Sequence, residues 1–120
     1  CTADRLTCPS QEAHRPTITT DTRRQTVIDT FGVTPGTCHD LRDGLTEAYA
    51  RFIRQQPGFI GAGIHVNDAQ TRVASYSQWH RREDFLAMLR TDEMRVRNRR
   101  INDLCKSFAP VLYDVVATYG

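Results

Sequence analysis

Lysine is almost absent from this 120-residue chain: Lys106 stands alone against fifteen arginines. That bias reads as the codon usage of a GC-rich genome, because the total of 16 basic against 14 acidic residues leaves a net charge of only +2. So small an excess lacks the electrostatic footprint of a nucleic-acid binder. Long apolar runs are missing too, so neither a bilayer-spanning segment nor a signal-peptide core is expected. The chain opens on Cys1 rather than Met, which reads as a trimmed chain. A cytoplasmic location is the expectation. The four cysteines, Cys1, Cys8, Cys38 and Cys105, form no Cys-x-x-Cys pair and no zinc spacing with the four histidines. No metal site is therefore expected, and the thiols read as reduced, with a Cys1–Cys8 bridge left open. Glycine-rich phosphate loops, nucleophile elbows and paired-carboxylate motifs are likewise wanting.

What is there is enough for one domain with a single core. Residues 1–23 are polar and aperiodic, with Pro9 and Pro16, and are expected to be a mobile extension or an arm that packs on something else. From Gln25 to Val33 the β-branched content predicts a first strand. Pro35-Gly36 ends it and Thr37 is positioned to cap a helix. Leu41, Leu45, Ala48, Tyr49, Phe52 and Ile53 recur at helical spacing up to Gln56, where Pro57-Gly58 stops the run. Strands follow over Phe59–Val66 and Thr71–Trp79, joined by the polar turn Asn67-Asp68-Ala69-Gln70. A second helical region opens near Arg82. A third begins after Thr91 or Asp92 and places Met94, Ile101, Leu104, Cys105 and Phe108 on one face. Pro110 is expected to break it before a last strand, Val111–Val116. The order β-α-β-β-α-β predicts an α+β, ferredoxin-like fold with a four-stranded antiparallel sheet. Helices would cover one sheet face, and the other, expected to be apolar, would need a partner; a homodimer is the economical solution.

The most informative stretch runs from Gln56-Pro57-Gly58-Phe59-Ile60 to Tyr76-Ser77-Gln78-Trp79 and ends on the only tryptophan. Strand parity puts Trp79 on one face with Ser75 and Ser77. It serves either as a core residue with its N–H on a carbonyl or as the wall of a pocket. Asp29 shares a strand face with the apolar Val27 and Phe31, which suits a buried general base of raised pKa; a solvated carboxylate or an arginine partner is the alternative. His65 shares a strand face with Phe59, Gly61 and Gly63, where the glycines leave room for a ligand or a helix side chain. Tyr49 fits both core and cavity. The run Arg95, Arg97, Arg99 and Arg100 spreads around its helix and reads as a solvated face, with Arg99 the one to turn inward.

Val27-Ile28-Asp29-Thr30-Phe31-Gly32-Val33-Thr34-Pro35-Gly36, Gln56-Pro57-Gly58-Phe59-Ile60, His65, Asp68, Thr71-Arg72-Val73, Tyr76-Ser77-Gln78-Trp79 and Leu112-Tyr113, taken in order, resemble the antibiotic biosynthesis monooxygenase family. The likeness covers about residues 25–117, within a domain of residues 24–120. It implies a dimeric α+β barrel that oxidises an anthrone or dihydroquinone-like aromatic polyketide with O₂ to a quinone, without flavin, metal or haem. The substrate would supply the electrons, and the protein would favour its anion and exclude water. Trp79 matches the family's tryptophan associated with activity. Asp29 and Ser75 each stand where many members carry an asparagine, Phe85 stands where one subgroup has a tyrosine, and Arg99 aligns with an arginine used by some members.

The resulting expectation makes Asp29, Trp79 and Arg99 catalytic and has Phe31, Tyr49, His65, Ser75 and Phe85 bind the substrate, with no cofactor beyond O₂ as co-substrate. Two alternatives use the same scaffold: a non-oxidative polyketide cyclase, and a non-catalytic ligand-binding subunit supported by the changed positions Ser75 and Phe85. Haem degradation ranks below both, because no histidine occupies the required helix.

Overall fold

A computed structural model describes residues 17–20 and 23–120. Four strands, β1 (Gln25–Gly32), β2 (Phe59–Val66), β3 (Arg72–Trp79) and β4 (Ser107–Tyr113), make one antiparallel sheet in the order β2-β3-β1-β4. Three α-helices, α1 (Pro35–Arg51), α2 (Arg82–Leu89) and α3 (Asp92–Leu104), complete the α+β architecture. This is the ferredoxin-like arrangement, in which the order of strands follows from two crossover connections.

Helix α1 starts one turn earlier than the sequence suggests. Thr34, not Thr37, is the N-cap, and its hydroxyl accepts from the Thr37 N–H at 3.3 Å. The Thr37 hydroxyl accepts in return from the Thr34 N–H, so both orphan donors are satisfied. Pro35 therefore belongs to the first turn, where its fixed φ helps and its missing N–H costs nothing. After Arg51 the chain tightens into a short 3₁₀ turn, Ile53–Gln55, rather than running as α-helix to Gln56. Gly58 then takes a φ of 84°, a value that suits glycine alone at low cost. Its carbonyl accepts the His80 N–H at 2.7 Å, which ties the start of β2 to the end of β3.

Two expectations fail at the other end. The third helix stops at Leu104, and Phe108 and Pro110 lie inside β4. Lys106 donates its N–H to the Gly32 carbonyl at 2.7 Å, drawing the chain into the sheet beside β1. Phe108 then pairs with Phe31 and stacks on it at 4.8 Å between ring centroids. Pro110 is tolerated because β4 is an edge strand, one side of which needs no backbone donor. Cys105, expected on the helix face, is the C-cap residue and half-buried.

The register sorts the sheet into two faces. Val27, Asp29 and Phe31 of β1 stand beside Ser77, Ser75 and Val73 of β3 on the face under the helices. Of these, Val27, Phe31, Val73, Ser75 and Ser77 are buried, as is Trp79. Thr26, Ile28, Thr30, Tyr76, Gln78, Val111 and Tyr113 occupy the other face, which is therefore mixed rather than apolar. Gln78 is fully buried there because Thr17 packs on it. The Thr17 N–H donates to Gln78 Oε1 at 2.8 Å, and Gln78 Nε2 donates back to the Thr17 carbonyl. This end of the N-terminal segment thus docks on its own sheet. The Cys1–Cys8 pairing lies outside the described residues.

Candidate active site

Between the sheet and the helices lies a cavity of about 150 Å³. An apolar space of that size admits at least one aromatic ring. Its walls are the rings of Phe31, Trp79, Phe85 and Phe108, with Met88, Met94 and other apolar side chains between them. Asp29, Tyr49, Ser77 and Asn98 are its polar lining.

Trp79 is both core and wall. It has no solvent exposure, and Phe59 and Phe85 meet it edge-on at 5.3 and 5.8 Å between centroids. Its indole N–H donates to Ser77 Oγ at 3.2 Å. The ring is thus locked in one orientation with its polar edge satisfied, leaving dispersion and stacking as what it offers a ligand.

Asp29 is the acidic group of this lining. Burial is the main reason its carboxyl is pushed from 3.8 up to about 6, with the Ser75 hydrogen bond pulling it part of the way back. The Tyr49 hydroxyl donates to Ser75 Oγ at 3.4 Å, and Ser75 donates to Asp29 Oδ2 at 3.3 Å. Burial, more than the neighbouring Asp29 charge, also raises the Tyr49 phenol above its usual value, so Tyr49 stays a donor. The polarity of this short chain makes Oδ2 the acceptor of an internal proton. The other oxygen, Oδ1, is shielded from solvent and has no hydrogen-bond partner among the described residues. A buried acceptor left unpaired costs about 1–3 kcal/mol. A ligand hydroxyl or acidic C–H seated beside Asp29 would relieve that cost.

The expected site residues therefore divide. Asp29, Phe31, Tyr49, Trp79 and Phe85 line the cavity together, and Ser75 is buried and holds Asp29 without lining it. His65 and Arg99 do not join them. A register irregularity between Phe59 and Gly61 breaks the simple alternation of β2. Phe59 turns toward Trp79 and Tyr49 while His65 stays exposed on the opposite sheet face. Arg99 points to solvent, because Met94, Asn98 and Ile101 are the α3 residues on the cavity side. Sequence reasoning missed Asn98, although the spacing of Met94, Asn98 and Ile101 marks one helix face. It also missed Ser77 as the acceptor for Trp79. Among the described residues no three His, Cys, Asp or Glu side chains converge where they could hold a metal ion. No helix among them is long and apolar enough to cross a membrane.

The model of the antibiotic biosynthesis monooxygenase family matches residues 24–99. A tetracenomycin-F1 monooxygenase of Streptomyces glaucescens is 31% identical over 98 residues, covering 79% of this chain and 84% of that protein. Among solved structures, a Streptomyces coelicolor monooxygenase in complex with nanaomycin D has a TM-score of 0.68 at 24% identity. That match covers 79% of this chain and 89% of the other. SnoaB, a cofactor-independent oxygenase from Streptomyces nogalater, has a TM-score of 0.65 at 16% identity, covering 80% and 96%. At these identities the two structures bear on the fold.

Proposed function

This chain belongs to the antibiotic biosynthesis monooxygenase family, and from that premise we propose that it is a cofactor-independent monooxygenase oxidising an anthrone or dihydroquinone-type aromatic polyketide. The observation that carries this reading is Asp29, a carboxyl with an unpartnered, shielded oxygen in an aromatic-walled cavity and a pKa of about 6. A base in that range is largely ionised near neutrality yet strong enough to accept a proton from an activated ring position.

For an anthrone, Asp29 takes one proton from the ring CH₂, and the aromatic anion packs against Trp79. The carbanion carbon bonds to O₂, and the returning proton completes a hydroperoxide at that carbon. Loss of the second proton from the same carbon breaks the O–O bond, forms the quinone carbonyl and releases water. Every electron that reduces O₂ comes from the substrate. The protein orients the ring, accepts the proton at Asp29 and keeps bulk water from the anion.

Names of related proteins support the class of chemistry: one is a tetracenomycin-F1 monooxygenase and one a cofactor-independent oxygenase. The test is oxygen uptake with 1,8-dihydroxyanthrone in metal-chelated buffer. Wild-type chain should accelerate uptake, and Asp29→Asn should lower the enzymatic rate by about 100-fold, the usual worth of a general base. Trp79→Phe keeps an apolar wall and should raise KM more than it lowers kcat. Saturable anthrone binding without uptake would move the assignment to a cyclase or a binding subunit.

A homodimer belongs to the same reading. Val111 and Tyr113 are 41% and 46% exposed on the sheet face away from the helices. Light scattering should return twice the 13.7 kDa chain mass; a monomer at micromolar concentration would remove this part.

A further inference from the structure

Two polar side chains reach the cavity from different walls. Asp29 stands on β1, in the sheet, whereas Asn98 comes from α3, in the helical layer. Met94 and Ile101, four residues before Asn98 and three after it, are both buried, so the face of α3 that carries Asn98 is turned inward. Arg97 resists rotation of that helix, because its guanidinium meets Glu93 at 2.9 Å and Glu47 of α1 at 3.7 Å. The Tyr49 hydroxyl is spent on Ser75, and Ser77 Oγ accepts the Trp79 N–H. The Asn98 carboxamide brings two N–H donors to the same lining.

We infer that Asn98 is a second catalytic residue of this cavity, donating an N–H to the substrate's carbonyl oxygen as that oxygen takes up negative charge. The inference rests on the proposed deprotonation at Asp29. In an anthrone the acidic CH₂ and the carbonyl lie at opposite ends of the central ring. When the C–H bond breaks, its proton goes to the Asp29 carboxylate and its electron pair spreads through the ring onto the carbonyl oxygen. A base on the sheet wall and a donor on the helix wall suit that layout, with the CH₂ facing β1 and the carbonyl facing α3. The hydrogen bond to the carbonyl strengthens as charge develops there, so it favours the anion over the bound ketone. A neutral amide does this without giving up a proton of its own.

Hydrogen–deuterium exchange at the substrate CH₂, followed by mass spectrometry in anaerobic deuterated buffer, reads this step without O₂. Two substrates separate Asn98 from a general structural effect. The carbonyl of anthrone has no internal hydrogen bond, whereas that of 1,8-dihydroxyanthrone already accepts from both flanking hydroxyls. The wild-type chain should accelerate exchange in each. Asn98→Leu and Asn98→Ala should slow the catalysed exchange of anthrone by at least about tenfold, and that of 1,8-dihydroxyanthrone by less than about threefold. Anthrone exchange left unchanged in both variants overturns the inference, as does an equal loss on the two substrates. No catalysed exchange by the wild-type chain overturns it together with Asp29 as the base. Exchange that depends on Asn98 but is followed by no oxygen uptake once air is admitted sinks the oxygenase alone.

Discussion

Asp29 is costly to keep, and the cost has a sign. Its carboxyl titrates near 6 in the folded chain against 3.8 for the unperturbed group, mainly through burial. Between those values the folded state binds more protons than the unfolded state, so stability falls as pH rises from about 4 to about 6. Above that window the full penalty remains, on the order of 3 kcal/mol. From α1 the titratable group facing Asp29 is Tyr49, which stays protonated; Ser75 faces it from β3 and Pro110 from β4, neither of them charged. Urea denaturation should therefore find the wild-type chain less stable at pH 7 than at pH 4 in the share that Asp29 contributes. Asp29→Asn should erase that share and gain roughly 2–3 kcal/mol at pH 7. An unchanged difference between the two pH values in the variant would show that Asp29 is not strained in the fold. Such a residue was partly legible in the sequence: parity placed Asp29 among Val27 and Phe31. Its partners were not, because Tyr49 and Ser75 lie 20 and 46 positions away and meet it only once α1 and β3 are packed.

Elements were legible where local signals agree and illegible where they compete. Periodicity found α1, and breakers found both of its ends to within a few residues. At the second crossover the signals conflict. Ile101, Leu104 or Cys105, and Phe108 continue a helical spacing, yet Phe108 belongs to β4, because stacking on Phe31 and the Lys106–Gly32 hydrogen bond win over period. His65 failed for a different reason: alternation fixes which residues share a face but not which face meets the helices, and the irregularity at Phe59–Gly61 reset the count. The Pro57-Gly58 breaker was read correctly and has a measurable consequence. A Cβ on Gly58 would sit 2.6 Å from the Asp84 Cβ, and the residue's φ of 84° adds backbone strain. Gly58→Ala should destabilise by about 1–3 kcal/mol, lowering Tm by at least several degrees. A Tm within one degree of wild type, measured by calorimetry, would mean that the junction of β2 and α2 relaxes freely.

At the scale of the whole molecule, the sheet separates two tasks. Its helix-covered face holds the cavity, with Asp29 and Trp79 in its lining. The opposite face is polar and apolar in turn and already carries Thr17 on Gln78. Fold and family were legible because they follow from element order and from motifs spread along most of the chain. The cavity lining was legible on β1 and β3, where strand parity applies. On α3 it was not, since Arg99 and Asn98 are neighbours in sequence and only packing decides which of them faces inward. The central claim, that Asp29 is the base for a cofactor-free oxidation, is tested most directly by oxygen uptake with 1,8-dihydroxyanthrone as a function of pH. The account predicts a kcat/KM that rises with pH through a midpoint near 6 and then levels, with the enzymatic rate and the midpoint both lost in Asp29→Asn. A wild-type rate that is flat from pH 5 to 8, or a midpoint that survives in Asp29→Asn, would contradict it.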